Sequence, residues 1–195
     1  MTTTPRLLLF AGSTREGSFN RKLVRAAAGL ATAAGAAVTT VELRDLPMPL
    51  YDGDLEERAG IPEHAQRLKT LLVAHDGFLL ASPEYNSSIP GVLKNAIDWV
   101  SRAAPGEAPL AAFRGKVAAL VSASPGALGG LRALVHVRAI LSAIDVLVIP
   151  EQFALGRAHE AFDEAGALKD PKQTVALKRV VDRLVLVTGR LSTPA

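Results

Sequence analysis

The sequence predicts an α/β fold, a doubly wound parallel sheet of five strands with helices covering both its faces. Three observations carry that expectation. Short, continuously apolar runs recur along the chain, as strands buried on both faces require. Between them lie longer stretches whose apolar residues return at helical spacing. The loops after the first, third and fourth runs are rich in Ser, Gly, Pro and Asn, and strands of such a sheet open onto ligands at that edge. With 195 residues the chain can bury one large core but not two, so residues 1–195 are expected to form a single domain.

Leu7 to Ala11 is the first apolar run. From Phe19 onward, Phe19, Leu23, Ala27, Leu30, Ala31 and Ala34 follow helical spacing, which places Ser18 at the helix N-cap. Gly35 offers a stop, and Ala37 to Leu43, rich in β-branched residues, reads as the second strand. Pro47 to Pro62 reads as a long surface excursion, its acidic residues Asp52, Asp54, Glu56 and Glu57 forming a solvated face. A helix is expected from about Glu63 to Ala74, then a third strand from Gly77 to Ala81. Pro90 begins a helix with Val92, Leu93, Ala96, Ile97 and Val100 at helical spacing. After a loop over residues 104–115 come a fourth strand, Lys116 to Ser122, and the loop Ala123 to Gly130. The next helix carries Leu131, Leu134, Val135 and Leu141 on one side, and a short fifth strand spans Val146 to Ile149. Asp170 caps the final helix, with Pro171 in its first turn and Leu177, Val180, Val181, Leu184 and Leu191 on its buried face.

Composition narrows the chemistry. The chain has no cysteine, which excludes disulfides, thiol nucleophiles and thiolate metal sites, so any redox chemistry must come from a cofactor. His64, His75, His136 and His159 show no close pairing, and no metal site is expected. The first apolar run is too short for a signal-peptide core or a membrane span, and cytoplasmic residence is the expectation. Net charge is +3, but Lys and Arg are scattered without a dense basic run, which argues against nucleic-acid binding and suits small anions.

The segment RLLLFAGSTREGSFN runs from strand to helix through a polar loop, the arrangement in which unpaired N–H groups and the positive end of a helix dipole hold a phosphate. Gly12 and Gly17 are expected to take backbone angles closed to other residues. Ser18 and Phe19 stand where a nucleoside-triphosphate loop needs Lys and Ser/Thr, so ATP or GTP hydrolysis is not expected. Ser13-Thr14 after Gly12 also breaks the dinucleotide fingerprint. A phosphate monoester fits, with Ser13, Ser18 and Asn20 as hydrogen-bond donors and Arg15 as a charged one.

Together, GSTREGSFNRKL, SPEYNSSIPGVLKNAIDW and SASPGALGG resemble the NADPH-dependent FMN reductase family, which also includes quinone, chromate and azo-dye reductases. DLPMPLYDGD and AHEAFDEAGALKD extend the similarity over nearly the whole chain, and PEYN followed by PGxLKNAIDW is its most specific part. The resemblance implies a flavodoxin-like sheet of order 2-1-3-4-5, bound FMN, NADPH or NADH as co-substrate, and a homodimer or homotetramer. It places Ser13, Arg15, Ser18, Phe19 and Asn20 at the FMN phosphate. Pro83, Glu84, Tyr85, Asn86 and Ser88 would lie beside the isoalloxazine ring, where the Asn86 backbone tunes the flavin and no side chain acts as catalyst. Ser122, Ser124, Gly126 and Gly129 match the third loop, whose glycines would let backbone approach the ring.

The implied reaction is ping-pong: nicotinamide reduces the flavin, leaves, and a quinone, free flavin, chromate or azo compound takes the electrons. Residue by residue, plainer roles stay open. Tyr85 could cover core surface, Asn86-Ser87-Ser88 could be turn chemistry, Glu84 could brace its loop, and Trp99 could belong to the core or to a subunit interface. Two other functions also stay open. One is a flavodoxin-type electron carrier, although such carriers are usually acidic; the other is a flavin-free binder of a phosphosugar or nucleotide.

Overall fold

The apolar runs become five parallel strands because each is followed by a helix long enough to return the chain to the start of the next. The computed structural model describes residues 4–192. In order they form β1 (Arg6–Ala11), α1 (Phe19–Ala33), β2 (Ala37–Glu42), a single 3-10 turn at Leu43–Asp45, α2 (Gly53–Ala59) and α3 (Glu63–Ala74). There follow β3 (Gly77–Ala81), α4 (Gly91–Val100), β4 (Val117–Ala123), α5 (Leu131–Ala143), β5 (Leu147–Leu155) and α6 (Pro171–Leu191). The sheet order is β2-β1-β3-β4-β5, as the resemblance implies.

Alternation along β1 divides the core in two. Leu7, Leu9 and Ala11 face one way, onto Leu23, Val24 and Ala27 of α1 and Leu177, Val181 and Leu184 of α6. Leu8 and Phe10 face the other, onto Leu68 and Leu72 of α3, Leu93 and Ile97 of α4, and Leu134, Val137 and Leu141 of α5. β3 and β4 are buried along their whole length, whereas β2, at the edge, is only half covered. Parallel pairing brings the ends of β1, β3 and β4 level, since Ala11 lies against Ala81 and Ala81 against Val121. The three polar loops therefore leave one edge of the sheet, where the sequence puts them. No helix among the described residues is long and apolar enough to cross a membrane.

Several elements depart from the sequence expectation. Within the excursion from Pro47 to Pro62, α2 forms because the Asp52 side chain accepts from the Asp54 N–H at 2.9 Å and Gly60, at φ 72°, ends it. It buries no residue, so no apolar periodicity marks it. The fifth strand continues through Pro150 to Leu155. Its pairing with β4 slips between Ala118 and Leu120, and Pro150 falls in that slip on an edge strand, where a missing N–H costs no ladder bond. On α5, Leu131 and Val135 are exposed while Ala133 and Val137 are buried, and Leu191 of α6 is exposed as well. Trp99 is fully buried within this chain, with Ile61 and Ala65, so the core reading of that residue holds.

Candidate functional site

The loop after β1 is a cradle of unpaired donors. The backbone N–H groups of Ser13, Thr14, Glu16, Gly17, Ser18, Phe19 and Asn20 donate to no protein acceptor among the described residues. Its carbonyls are turned the other way: Arg21 Nη1 donates to the Arg15 and Glu16 carbonyls at 3.2 and 2.9 Å, and Arg21 also pairs with Glu42. Arg21, which sequence reasoning passed over as an ordinary helix residue, thus braces the loop from behind. The Arg15 side chain is exposed and has no partner among the described residues. Unpaired N–H groups, one guanidinium and the N-terminus of the 15-residue α1, brought together in one loop, suit a phosphate monoester.

Individual roles in that loop differ from the sequence expectation. The Ser13 and Ser18 hydroxyls accept from the Arg15 and Arg21 N–H groups at 3.3 and 3.4 Å, and both residues are nearly buried. They shape the loop, and their hydroxyl hydrogens remain uncommitted. The Asn20 side chain is not available as a donor. Its Nδ2 donates to the Ala123 carbonyl at 2.8 Å and its Oδ1 accepts from the Ala123 N–H at 2.9 Å, which ties α1 to the end of β4. Phe19 packs its ring on the core, leaving its N–H to the loop. The exposed Thr14, not singled out from the sequence, joins the cradle. Neither Gly12 nor Gly17 has a positive φ. Gly12 is required for another reason, since a Cβ there would stand 2.8 Å from Leu93 Cδ2.

The loop after β3 is a tight turn clamped from α5. Tyr85 and Ser88 exchange both backbone hydrogen bonds, at 2.9 and 3.0 Å, around Asn86 and Ser87 at φ 50° and 65°. Two successive left-handed residues make the reversed turn that Asn favours and Ser tolerates less well. The Asn86 N–H donates to no protein group among the described residues, and Tyr85 is exposed, not a core cover. Pro83 is buried and steers the strand into the turn.

Two side chains fix that turn from outside. Glu84 accepts from Arg132 Nε at 2.7 Å and from the Arg132 backbone N–H at 3.1 Å. It thereby caps α5, whose own N-cap residue, Gly130, has no side chain to do so. Burial pushes the Glu84 pKa up, but the Arg132 guanidinium and the backbone N–H groups of Ala133 and Arg132 outweigh it and leave the carboxylate below its usual range. Ser88 Oγ meets His136 Nδ1 at 2.9 Å. Glu84 and Ser88 therefore hold the turn in place, and Arg132 and His136 are the partners that no local sequence signal marks.

The loop after β4 is sealed where the sequence suggests openness. Ser122 is fully buried, its hydroxyl has no partner among the described residues, and Gly130 covers it, so it cannot reach a ligand. Gly129, at φ 64°, lies so close to β5 that a Cβ would stand 2.7 Å from the Gly156 nitrogen. That glycine permits backbone to pack on backbone within the protein, not on a ring. Ser124 accepts through Oγ from the Gly126 N–H at 3.2 Å and donates its own N–H to the Leu155 carbonyl at 3.0 Å. Gly126 is exposed, a Cβ there meeting nothing closer than Ser124 Oγ at 3.6 Å, and is the glycine of this loop that can line a cleft.

A strap at residues 49–51 closes the side of the site. Asn95 Nδ2 and Trp99 Nε1 both donate to the Pro49 carbonyl at 2.8 Å, and Asn95 Oδ1 accepts from the Tyr51 N–H at 2.7 Å. This explains why KNAIDW carries an amide and an indole four residues apart on α4. Between strap and first loop lies a cavity of about 290 Å³, lined by Thr14, Arg44, Met48, Val92 and Asn95. Among the described residues no three His, Asp or Glu side chains stand together as a metal site.

The comparisons with known proteins point one way. The family described as NADPH-dependent FMN reductase matches residues 5–160. An NAD(P)H-dependent FMN reductase of Pseudomonas aeruginosa is 38% identical over 188 residues, covering 95% of this chain and 96% of that protein. A quinone reductase of Pseudomonas putida is 42% identical over 174 residues, 88% of each chain. Among solved structures, FerB, a flavoenzyme NAD(P)H:(acceptor) oxidoreductase from Paracoccus denitrificans, superposes with a TM-score of 0.81 at 30% identity, covering 96% of this chain and 98% of its own.

Proposed function

The chain belongs to the NADPH-dependent FMN reductase family, and from that premise we propose that it is an FMN-dependent NAD(P)H oxidoreductase, residues 1–195 acting as one cofactor-binding domain. The observation that carries this is the first loop: seven backbone N–H groups without acceptors, beside a guanidinium without a partner, among the described residues. Thr14, Arg15, Gly17 and the N-terminus of α1 would hold the FMN phosphate, with Ser13 and Ser18 keeping the loop in shape. Asn86 would offer its free N–H to the polar edge of the ring, and Tyr85, Ser124 and Gly126 would border the ring. Bound FMN supplies the redox chemistry, taking electrons from NADPH or NADH and passing them in a ping-pong cycle to quinones, free flavin, chromate or azo compounds.

What the protein contributes is position and electrostatics. Arg15 and the N–H groups neutralise the phosphate dianion, while Glu84 and Ser88 keep the turn rigid through α5. Glu84 remains an ionised cap and is not proposed as a general acid or base. The exposed apolar residues Leu128, Leu131 and Val135 favour assembly of this cytoplasmic enzyme as a homodimer or homotetramer.

Anaerobic titration of the FMN-loaded protein with NADPH or NADH is the test. The visible flavin absorbance should bleach and return on adding a quinone. No bleaching with either nicotinamide would overturn the enzyme reading and favour a one-electron carrier. A protein that stays colourless with added FMN would overturn the cofactor itself.

A further inference from the structure

Behind the third loop, on the side away from the turn at Tyr85–Ser88, lies a cavity of about 540 Å³ whose walls include Ala127, Arg157, Glu160, Lys169, Asp170 and Gln173. Its size falls within the range of small-molecule sites. Its assembly is wholly tertiary. The run of β5 past Pro150 carries Gly156 onto the third loop, where a Cβ would stand 2.5 Å from the Ala127 carbonyl. The next residue, Arg157, donates its N–H to the Gly126 carbonyl at 3.3 Å and is held at φ 48°, an unusual conformation for a side chain of its size. Phe162 then pairs with Leu168, and the Lys169 N–H donates to the Ala161 carbonyl at 2.9 Å, which folds Lys169 back to the same rim.

The charges there are unevenly satisfied. Asp170 is committed to capping α6, accepting from the Lys172 N–H at 2.8 Å, and Glu160 lies 3.1 Å from His159 Nε2. The side chains of Arg157 and Lys169 have no partner among the described residues. Gln173 Oε1 is buried and accepts no hydrogen bond among the described residues. Two exposed cations beside an unanswered acceptor suit a ligand that carries a phosphate and a hydrogen-bond donor together. Inorganic phosphate would leave Gln173 unanswered; uncharged adenosine would leave both cations so.

We propose that this cavity receives the phosphorylated adenosine end of NADPH, Arg157 and Lys169 meeting the 2′-phosphate and Gln173 accepting from a ribose hydroxyl or the adenine amine. The proposal rests on the oxidoreductase function above, and it makes NADPH the preferred donor. Ala127 belongs to the loop whose other side borders the proposed ring site, and the proposal requires one extended dinucleotide to cross that loop.

Calorimetric titration of the FMN-loaded protein with 2′,5′-ADP and with 5′-AMP tests it, alongside steady-state kinetics. The wild type should bind 2′,5′-ADP in preference to 5′-AMP. Lys169→Ala, which leaves its backbone bond to Ala161 in place, should weaken 2′,5′-ADP about ten-fold, as should Arg157→Ala. The NADPH KM should rise by a similar factor in both variants while the NADH KM shifts less than about two-fold. Binding of 2′,5′-ADP unchanged in both variants, or NADPH and NADH KM values rising together, would overturn the proposal. If neither nicotinamide bleaches wild-type flavin yet 2′,5′-ADP still binds through Lys169, the oxidoreductase reading fails while the cavity stands as an adenosine-phosphate site.

Discussion

The loops after β1 and β4 look alike in composition, each short, polar and glycine-bearing, yet they are built for opposite purposes. In the first, carbonyls turn inward to Arg21 and seven N–H groups are left unpaired among the described residues. In the second, Ser124 and Arg157 donate backbone N–H groups to Leu155 and Gly126, and Gly129 and Gly156 let two stretches of chain touch. Among the described residues the loop after β4 leaves three N–H groups unpaired, those of Ala127, Leu128 and Gly130, against seven in the loop after β1. The lesson is that glycine content does not distinguish a ligand loop from a packed corner, whereas the tally of unsatisfied backbone donors does.

Substitution at the glycines probes that difference most severely. Gly129→Ala adds a Cβ against backbone and forces a left-handed alanine, which should cost about 2–4 kcal/mol. For a chain of this size that lowers the melting temperature by roughly 4–16 °C. An unchanged thermal melt would mean the third loop is looser than its contacts imply.

Arg15→Ala should come next. Loss of a charge-assisted hydrogen bond worth about 1.5–3 kcal/mol should weaken FMN roughly 10- to 100-fold and leave riboflavin nearly unaffected, measured by fluorescence quenching. Equal weakening of both ligands would remove the phosphate from this loop.

Glu84→Ala removes the cap of α5 and should destabilise by about 0.5–2 kcal/mol in denaturant titrations at neutral pH. The Glu84 pKa is lowered on folding, so its contribution is complete above the ordinary value of 4.5 and fades as pH falls through the lowered one. Wild type and variant should therefore converge in acid; a constant difference across pH would show that the charge is not what caps the helix.

The smallest change is expected at Gly17→Ala. Open space and an ordinary φ at that position predict a stability shift within about 0.5 kcal/mol, in contrast to Gly129. A large loss there would erase the distinction between the two loops.

Much of the fold was legible because it rests on local pattern. The apolar runs at Leu7 to Ala11 and Gly77 to Ala81, the Ser18 and Asp170 caps, and Pro171 in the first turn of α6 all appear where spacing and capping chemistry put them. What escaped was either short and non-apolar, as α2 was, or licensed by an edge, as Pro150 was. Within the site, the strand-to-helix loop was recognisable as an anion cradle, but the donors were partly misassigned. Asn20 and Ser122 carry the right groups, yet residues about 100 positions away in one case and a covering glycine in the other take them out of reach.

By itself the sequence determined the α/β alternation, the loops that meet at one sheet edge, the absence of thiol chemistry and the family. These follow from residue type and short-range spacing, which a linear string records. Only the tertiary structure decided which donors remain free, which glycines separate backbones, and that Arg157 and Lys169 share a cavity behind the third loop. Hydrogen-bond satisfaction and close approach depend on neighbours supplied from distant strands and helices, and parallel crossovers place those neighbours far apart in the chain.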